Sequence, residues 1–124
     1  MKYIMITGAS SGIGEETARL LARQEDVTTI LVARNEEKLK KLVNEFGGET
    51  KYLVYDLTDI EHIESCFIKC REWGIKLDGL IHCAGIGENM PIRLIQTEHV
   101  KKMYQIHPMA FIELGKYFSK RKYS

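Results

Sequence analysis

The fold is decided near the N-terminus by one glycine-rich stretch, Thr7-Gly8-Ala9-Ser10-Ser11-Gly12-Ile13-Gly14. Before it lies a short apolar run, Tyr3 to Thr7, and after it residues 15–24 carry apolar side chains at helical spacing. A turn between a first strand and a first helix is where α/β proteins bind phosphates, because the helix N-terminus offers unpaired N–H groups and a partial positive charge. The stretch therefore predicts a phosphate-binding turn.

Each glycine of the turn has a distinct structural use. Gly8 permits the tight turn, Gly12 lets the backbone approach a pyrophosphate, and Gly14 lets the helix pack closely on the strand. The spacing GxxxGxG differs from the GxGxxG of long-chain dehydrogenases and from the Walker loop, which requires a lysine near its end. We predict that the turn binds a pyrophosphate group, and a glycine-rich turn that binds nothing is the alternative.

Apolar runs alternate with helical patterns along the whole chain, which is typical of βαβ units that build a parallel sheet. After the first strand we predict three more, over Val27 to Ala33, Tyr52 to Tyr55 and Leu77 to Cys83. Right-handed crossovers from the first strand to the third, and then back to the fourth, give the spatial order 3-2-1-4. The predicted fold class is α/β, a Rossmann-like three-layer sandwich whose doubly wound parallel sheet is truncated before a fifth strand.

Capping residues predict where the later helices begin. Asn35 suits the N-cap of a second helix that ends at Gly47, and Asp59 suits the N-cap of a third. Thr97 opens a last helical segment, and Pro108 inside that segment predicts a kink or a break. Together these helices would cover both faces of the sheet.

Composition limits the classes of protein to consider. With 124 residues and a net charge of +1, the chain fits one domain, residues 1–124, and lacks the broad basic field of a non-specific nucleic-acid binder. Its 3 cysteines form no CxxC pair, the first residues do not show the pattern of a secretory leader, and no apolar run reaches about 20 residues. We therefore expect free thiols, a cytoplasmic location and no membrane segment. His62, Cys66 and Cys70 share one predicted helix, where we expect core and boundary residues and no metal.

The motif from Thr7 to Gly14 matches the pattern TGxxxGIG throughout, and in it the chain resembles the short-chain dehydrogenase/reductase family, over essentially all 124 residues. The resemblance implies a nicotinamide-dinucleotide-binding Rossmann domain of an oxidoreductase. It also places Asp56 where that family's acidic residue hydrogen-bonds the adenine amino group, a role that suits a carboxylate acceptor. A carboxylate that only caps a turn is the alternative for Asp56.

A second motif, His82-Cys83-Ala84-Gly85, stands where the resembled family has Asn-Asn-Ala-Gly. The resemblance places Ala84 and Gly85 against the adenosine ribose, whereas the replacement of the first asparagine by His82 puts its strand-bracing role in doubt. The full set of predicted cofactor contacts is Gly8, Ser10, Ser11, Gly12, Ile13, Gly14, Arg34, Asp56, Leu57, Cys83, Ala84 and Gly85.

The end of the second strand selects between the two nicotinamide cofactors. An acid there would hold a free 2′-hydroxyl, but Ala33 occupies that position, and Arg34 follows it with a planar fork that suits a 2′-phosphate. We predict NADP as the cofactor, with NAD as the alternative, and for Arg34 the alternative is a solvated surface position. The missing acid also disfavours a methyltransferase-like domain.

The residues that carry hydride transfer in the resembled family are absent. That family uses a tyrosine, a lysine four positions later that lowers the tyrosine pKa, and an upstream serine. No tyrosine here has a lysine four positions later, and Tyr117 with Arg121 is the nearest miss. The resemblance places His107 at an asparagine that supports a proton-relay water, and a purely structural histidine is the alternative. We predict no catalytic residue and no turnover by this chain alone.

These observations favour the NADP(H)-binding N-terminal portion of an oxidoreductase, and the alternative is a non-catalytic nucleotide-binding or oligomerisation module. Because no fifth strand follows, the outer edge of Leu77 to Cys83 would be unpaired, and such an edge is a template for another chain. We expect self-association, through this edge or through an apolar seam on the last helical segment. The seam comprises Met103, Phe111, Leu114 and Phe118.

Overall fold

The structure is a computed structural model that describes residues 1–84 and 92–124, so the predicted cofactor contact Gly85 lies outside the described residues. Four parallel strands form one sheet in the order β3-β2-β1-β4, which confirms the predicted order 3-2-1-4. The strands are β1 (Lys2–Thr7), β2 (Val27–Ala33), β3 (Lys51–Val54) and β4 (Gly79–His82).

Helices follow the strands along the described part of the chain. The α-helices are α1 (Gly12–Ala22), α2 (Glu36–Phe46), α3 (Glu64–Glu72), α4 (Thr97–Tyr104) and α5 (Ala110–Phe118). A 3-10 turn (Ile92–Leu94) precedes α4, and a π-helical turn (Gln105–Met109) joins α4 to α5. None of the helices described is both long and apolar enough to cross a bilayer.

The sheet is covered on both faces, which gives the predicted three layers. On one face, side chains of β1 and β2 pack with α3 and α5 around Phe67 and Leu114. On the other face, they pack with α1 and α2 around Ala18 and Leu39. Because both faces are covered, nearly every residue of β2 is buried, as expected of an uninterrupted apolar strand in a parallel sheet.

The helices that follow β1 and β2 begin in different ways, because only the second has a side-chain N-cap. Asn35 is the N-cap of α2, as predicted, and its side-chain oxygen accepts a hydrogen bond from the Lys38 amide at 3.1 Å. Gly47 ends that helix with a φ of 68°. By contrast, α1 begins at Gly12, earlier than the apolar spacing indicates, because the glycine turn itself runs into the helix; its N-cap, Ser11, makes no side-chain capping bond.

The predicted N-cap at Asp59 is wrong, because α3 begins only at Glu64. The turn before this helix is organised by Asp56, whose Oδ1 accepts a hydrogen bond from the Thr58 amide at 3.0 Å and whose carbonyl accepts one from the Asp59 amide at 3.0 Å. The Asp59 carboxylate instead lies 2.9 Å from Nδ1 of His62. Local hydrogen bonding by the two aspartates thus competes with helix formation, so the helix begins several residues later in the sequence.

The fourth strand is shorter than the predicted range of Leu77 to Cys83. Parallel ladder bonding nevertheless continues beyond both of its ends, because the Asp78 amide donates to the Tyr3 carbonyl at 2.7 Å and the Cys83 amide donates to the Thr7 carbonyl at 3.1 Å. The carboxyl end of β4 is therefore tied firmly to the end of β1, immediately before the glycine turn.

The predicted interruption at Pro108 takes the form of a π-helical turn and not of a break. Proline lacks the amide that an α-helix would use at this point. The Ala110 amide hydrogen-bonds to the carbonyls of Gln105 and His107 and passes over the carbonyl of Ile106, which is its partner in regular α-helical geometry. The widened turn keeps α4 and α5 in one helical segment and presents Ile106 to the sheet.

Candidate functional site

The carboxyl ends of the strands open into one cleft, at the place where open α/β sheets bind ligands. The glycine turn, the end of β2, the segment after β3, the end of β4 and the π-helical turn all contribute to its lining. The predicted contacts that line it are Gly8, Ser10, Ser11, Arg34, Leu57, Cys83 and Ala84. Residues that are distant in sequence thus share one cleft.

Close packing explains two of the three glycines in the turn. Gly8 has a φ of 67°, and a Cβ there would lie 2.5 Å from the Ala84 amide nitrogen. A Cβ at Gly14 would overlap the carbonyl oxygen of Gly8, so this glycine allows α1 to pack on the turn itself. Around Gly12, by contrast, a Cβ would meet no atom within 4 Å. The space above the N-terminus of α1 is therefore open to a ligand.

A second, shallower groove borders the cleft on the β4 side. It is lined by Ile13, His82, Cys83, Ala84, His107 and Phe111. Ile13 is 80% exposed here and does not line the cleft, so the structure separates this predicted contact from most of the others. Cys83 and Ala84 belong to both the cleft and the groove, which makes the end of β4 the wall between them.

The floor of the cleft is held by the hydroxyl of Thr7, which is fully buried at the end of β1. Its Oγ1 accepts hydrogen bonds from the amides of Cys83 at 3.1 Å and Ala84 at 3.3 Å. The same oxygen lies 2.7 Å from Nδ1 of His82, whose Nε2 lies 2.9 Å from the carbonyl oxygen of Ile106. His82 therefore does brace the strands, and it connects them to the π-helical turn as well.

The environment of His82 favours its uncharged form. The ring is partly buried and stacks on Phe111, with ring centroids 5.9 Å apart and an angle of 24° between the planes. Burial lowers the pKa of His82 below its ordinary value of 6.5, although hydrogen bonds to backbone carbonyls oppose this effect.

The adenosine end predicted from the sequence contains a cation and a carboxylate side by side. Arg34 is exposed at the end of β2, and together with Asp56 and Asp59 it lines a surface depression next to the cleft. Burial works to raise the pKa of the Asp56 carboxyl, but hydrogen bonds from Thr58 and the positive charges of Arg34 and Lys102 outweigh it, so this pKa lies below its usual range. Both Thr58 bonds fall on Oδ1, so Asp56 is a turn-capping carboxylate whose other oxygen is not used by them.

Three residues of the cleft lining do not follow from the sequence as site residues: Val32 within β2, Tyr55 and Ile106. Tyr55 lies at the end of β3, and its hydroxyl donates a hydrogen bond to the Asp59 carbonyl at 2.5 Å. In the sequence, Tyr55 directly precedes the predicted contact Asp56, and this adjacency is the feature that could have indicated its place in the cleft. Ile106 reaches the cleft only because the π-helical turn packs against β4, and no local pattern indicates that placement.

The other candidate groups lie away from the cleft. Burial raises the pKa of Cys66 and of Cys70 to about 12, and both thiols belong to the core beside α3, whereas His62 is exposed. These three side chains do not converge, and the described residues contain no group of three metal-ligating side chains. Tyr117 packs against Phe67 in the core, with ring centroids 6.0 Å apart.

Comparisons with known proteins agree with this geometry. The family model for short chain dehydrogenases matches residues 2–121. A benzil reductase of Saccharomyces cerevisiae that forms (S)-benzoin is 35% identical over 109 residues, which cover 84% of this chain and 41% of that protein. An uncharacterized oxidoreductase of Listeria innocua is 34% identical over 110 residues, which cover 86% of this chain and 44% of that protein.

Solved structures give the same result. An alcohol dehydrogenase from the archaeon Thermococcus sibiricus, complexed with 5-hydroxy-NADP, matches with a TM-score of 0.85 at 32% identity and covers 95% of this chain and 52% of its own. A metagenomic short-chain oxidoreductase in complex with NADP matches with a TM-score of 0.86 at 26% identity, over 95% of this chain and 55% of its own. The chain thus spans about half the length of these relatives. Because the family match extends over nearly all of its residues, this chain belongs to the short chain dehydrogenase family.

Proposed function

We propose that this chain binds NADP(H), chiefly through the adenosine and pyrophosphate half, as the cofactor-binding portion of a short-chain oxidoreductase. The observation that carries the proposal is the single cleft, in which the glycine turn, Arg34 and the Cys83-Ala84 pair lie together at the carboxyl ends of the strands. The space above Gly12 at the N-terminus of α1 would take the pyrophosphate, because helix N-termini attract anions.

The preference for NADP over NAD rests on the end of β2. Ala33 supplies no carboxylate that would hold a free 2′-hydroxyl or repel a 2′-phosphate, and the exposed guanidinium of Arg34 is available to pair with the phosphate. The Thermococcus sibiricus enzyme in complex with 5-hydroxy-NADP and an L-sorbose reductase of Gluconobacter frateurii in complex with NADPH support this choice by analogy. NAD is the alternative cofactor.

The activity of the whole protein is part of the proposal. Relatives with reductase and dehydrogenase activities support carbonyl reduction or alcohol oxidation as the reaction class. This chain alone would not catalyse it, because none of its tyrosines has a lysine four residues later that could lower the tyrosine pKa. A non-catalytic module that binds a nucleotide or self-associates is the second candidate. The three free thiols support a cytoplasmic location.

Calorimetric titration with NADPH, NADH and 2′,5′-ADP tests the proposal. We expect NADPH and 2′,5′-ADP to bind with similar affinity, and NADH to bind about tenfold more weakly or worse, since a charged hydrogen bond contributes roughly 1.5–3 kcal/mol. Arg34→Ala should remove this difference, whereas Arg23→Ala, which removes an exposed arginine at the end of α1, should not. Equal affinity for NADH and NADPH would refute the NADP preference.

A pair of glycine variants separates loss of binding from loss of folding. Gly12 and Gly48 both have positive φ, 54° and 60°, and a Cβ would meet nothing within 4 Å at either position. Gly12→Ala and Gly48→Ala should therefore cost similar stability, about 1–2 kcal/mol each. Only Gly12→Ala should abolish NADPH binding, and retention of binding by a folded Gly12→Ala protein would contradict the proposed site.

A further inference from the structure

The hydrogen bonds of Thr7 determine which ring nitrogen of His82 is protonated. The Thr7 hydroxyl has one hydrogen and two lone pairs, and its oxygen already accepts the amides of Cys83 and Ala84. Its hydrogen must therefore point to the remaining neighbour, Nδ1 of His82, at 2.7 Å. This nitrogen acts as the acceptor and carries no hydrogen.

The second ring nitrogen completes the assignment. Nε2 of His82 faces the carbonyl oxygen of Ile106 at 2.9 Å, and a carbonyl only accepts hydrogen bonds, so Nε2 carries the hydrogen. The Ile106 carbonyl is available because the π-helical turn directs the Ala110 amide to Gln105 and His107 instead. The ring is thus neutral, in the Nε2–H tautomer, with both nitrogens paired.

Protonation of His82 would disrupt this arrangement on one side only. An imidazolium places a hydrogen on Nδ1 that faces Thr7 Oγ1, whose lone pairs already receive two amide hydrogens. One of those amide bonds must open, or the ring must turn away. The bond from the Ala84 amide to Oγ1 is the longer of the two, at 3.3 Å, and when it opens the Ala84 amide loses this acceptor, whereas the Cys83 amide keeps the Thr7 carbonyl at 3.1 Å in either case.

In the described part of the chain, few charged groups act on the junction that His82 forms with Thr7 and Ile106. Among residues 1–84 and 92–124, the titratable groups that face His82 are His107, from the π-helical turn, and Cys83, at the end of its own strand. Strand β1 and helix α5 contribute the uncharged Thr7 and Phe111. Among the described residues, no carboxylate lines the groove beside the ring, so only hydrogen bonds to backbone carbonyls favour an imidazolium there.

We propose that His82 is a proton-controlled positioning residue: in its neutral form it connects β1, β4 and the π-helical turn, and its protonation loosens the floor of the cleft and weakens nucleotide binding. The link to binding rests on the function proposed above. The link follows from where the junction lies, because the residues that it holds in place all line the cleft: Gly8, Cys83, Ala84 and Ile106.

The pH range of the effect follows from the environment of the ring. Because burial lowers the folded-state pKa of His82, the stability that the junction contributes is complete above the ordinary value of 6.5 and is lost as the pH falls through the lower folded value. We therefore expect the loosening of the cleft floor at mildly acidic pH.

Nuclear magnetic resonance of the wild-type chain, with 15N-labelled histidine, tests the assignment without any variant. We expect the Nε2–H tautomer of His82 at about pH 7.5, and a single titration in mild acid that shifts the Ala84 amide signal together with the imidazole. Dominance of the Nδ1–H tautomer, or a His82 titration that leaves the Ala84 signal unmoved, would overturn the proposal.

Binding of ADP-ribose from about pH 7.5 to about pH 5 tests the functional link. Its pyrophosphate keeps a constant charge in this range, unlike a 2′-phosphate monoester, which titrates near pH 6. Between these two pH values, the affinity of the wild type should fall by at least about fivefold more than the affinity of His82→Asn, which has no titratable ring at this position. His62→Gln, which removes an exposed histidine, should behave like the wild type. Identical pH profiles for wild type and His82→Asn would overturn the link.

The two proposals fail in different ways. If ADP-ribose and NADPH bind at no pH, the proposed function fails, and the junction is then judged by the Ala84 amide signal. That signal must follow His82 in the wild type and must not titrate in His82→Asn. If the nucleotides bind but their affinity does not depend on His82, only the present inference fails.

Discussion

The glycine turn and the π-helical turn both border the cleft, but they are built in different ways. The first forms from adjacent residues whose backbone needs are met by glycine, at Gly8 and Gly14. The second reaches the cleft through a hydrogen bond from His82, 24 positions before Ile106 in the chain. A local motif therefore specifies one wall of the site, and a long-range contact specifies the other.

The largest expected effect comes from a substitution in the glycine turn. In Gly8→Ala, the new Cβ would lie 2.5 Å from the Ala84 amide nitrogen, at a residue with a φ of 67°. We expect a loss of about 3 kcal/mol or more in the free energy of unfolding, because the overlap with backbone adds to the strain of positive φ. Chemical denaturation measures the change.

Gly48→Ala is the matched control for that experiment. Gly48 has a φ of 60°, but a Cβ there meets nothing within 4 Å, so only the backbone strain remains, at about 1–2 kcal/mol. Equal losses for the two variants would show that the close contact between the glycine turn and the end of β4 is not a constraint.

A smaller effect is expected from removing the long-range hydrogen bonds of Thr7. Thr7→Val keeps the shape of the side chain but leaves the Ala84 amide without the hydroxyl that accepts its bond, and it removes the donor to His82. We expect unfolding to cost about 1–3 kcal/mol less, which is the penalty for unpaired buried polar groups. Thermal or chemical denaturation at neutral pH measures this loss.

The buried hydroxyl of Thr29 provides a contrast of opposite sign. Thr29 is 1% exposed in β2, and its Oγ1 has no hydrogen-bond partner among the described residues. Thr29→Val should therefore raise the free energy of unfolding by about 1 kcal/mol, because it removes an unpaired polar atom at nearly constant volume. Destabilisation by both valine variants, to a similar extent, would mean that the bonds of Thr7 make no specific contribution.

The same contrast explains what could be predicted from the sequence. The strand order, the position of the glycine turn between β1 and α1, and the Asn35 cap follow from local spacing and from crossover handedness, and the structure confirms these three features. The N-cap at Asp59 failed because Asp56 organises the preceding turn, which local propensity did not distinguish. The bracing role of His82 does not follow from the sequence, because its partners, Thr7 and Ile106, become neighbours only in the folded chain.

Self-association is the prediction with the smallest expected effect. The structure changes which residues are available for the contact. Leu114, one of the residues expected in the apolar seam, is 1% exposed and belongs to the core. The apolar side chains that α4, the π-helical turn and α5 leave exposed are instead Val100, Tyr104, Met109, Phe111 and Ile112. An exposed apolar surface of this kind favours association through this face of the helical segment, which shares only Phe111 with the predicted seam.

The edge of β4 offers a second route to the same assembly. Within the described residues β4 pairs only with β1, so its other edge carries unpaired backbone groups, although the Leu77 amide just before it donates to the Tyr123 carbonyl at 2.9 Å. We expect a weak dimer whose mass, measured by light scattering, rises with concentration in the micromolar range. Ile112→Glu should make the chain monomeric if the helical segment mediates contact, whereas Glu16→Lys on α1 should not. A dimer that survives Ile112→Glu and protects the β4 amides from exchange would assign the contact to the strand edge, and a strictly monomeric wild-type chain would refute self-association.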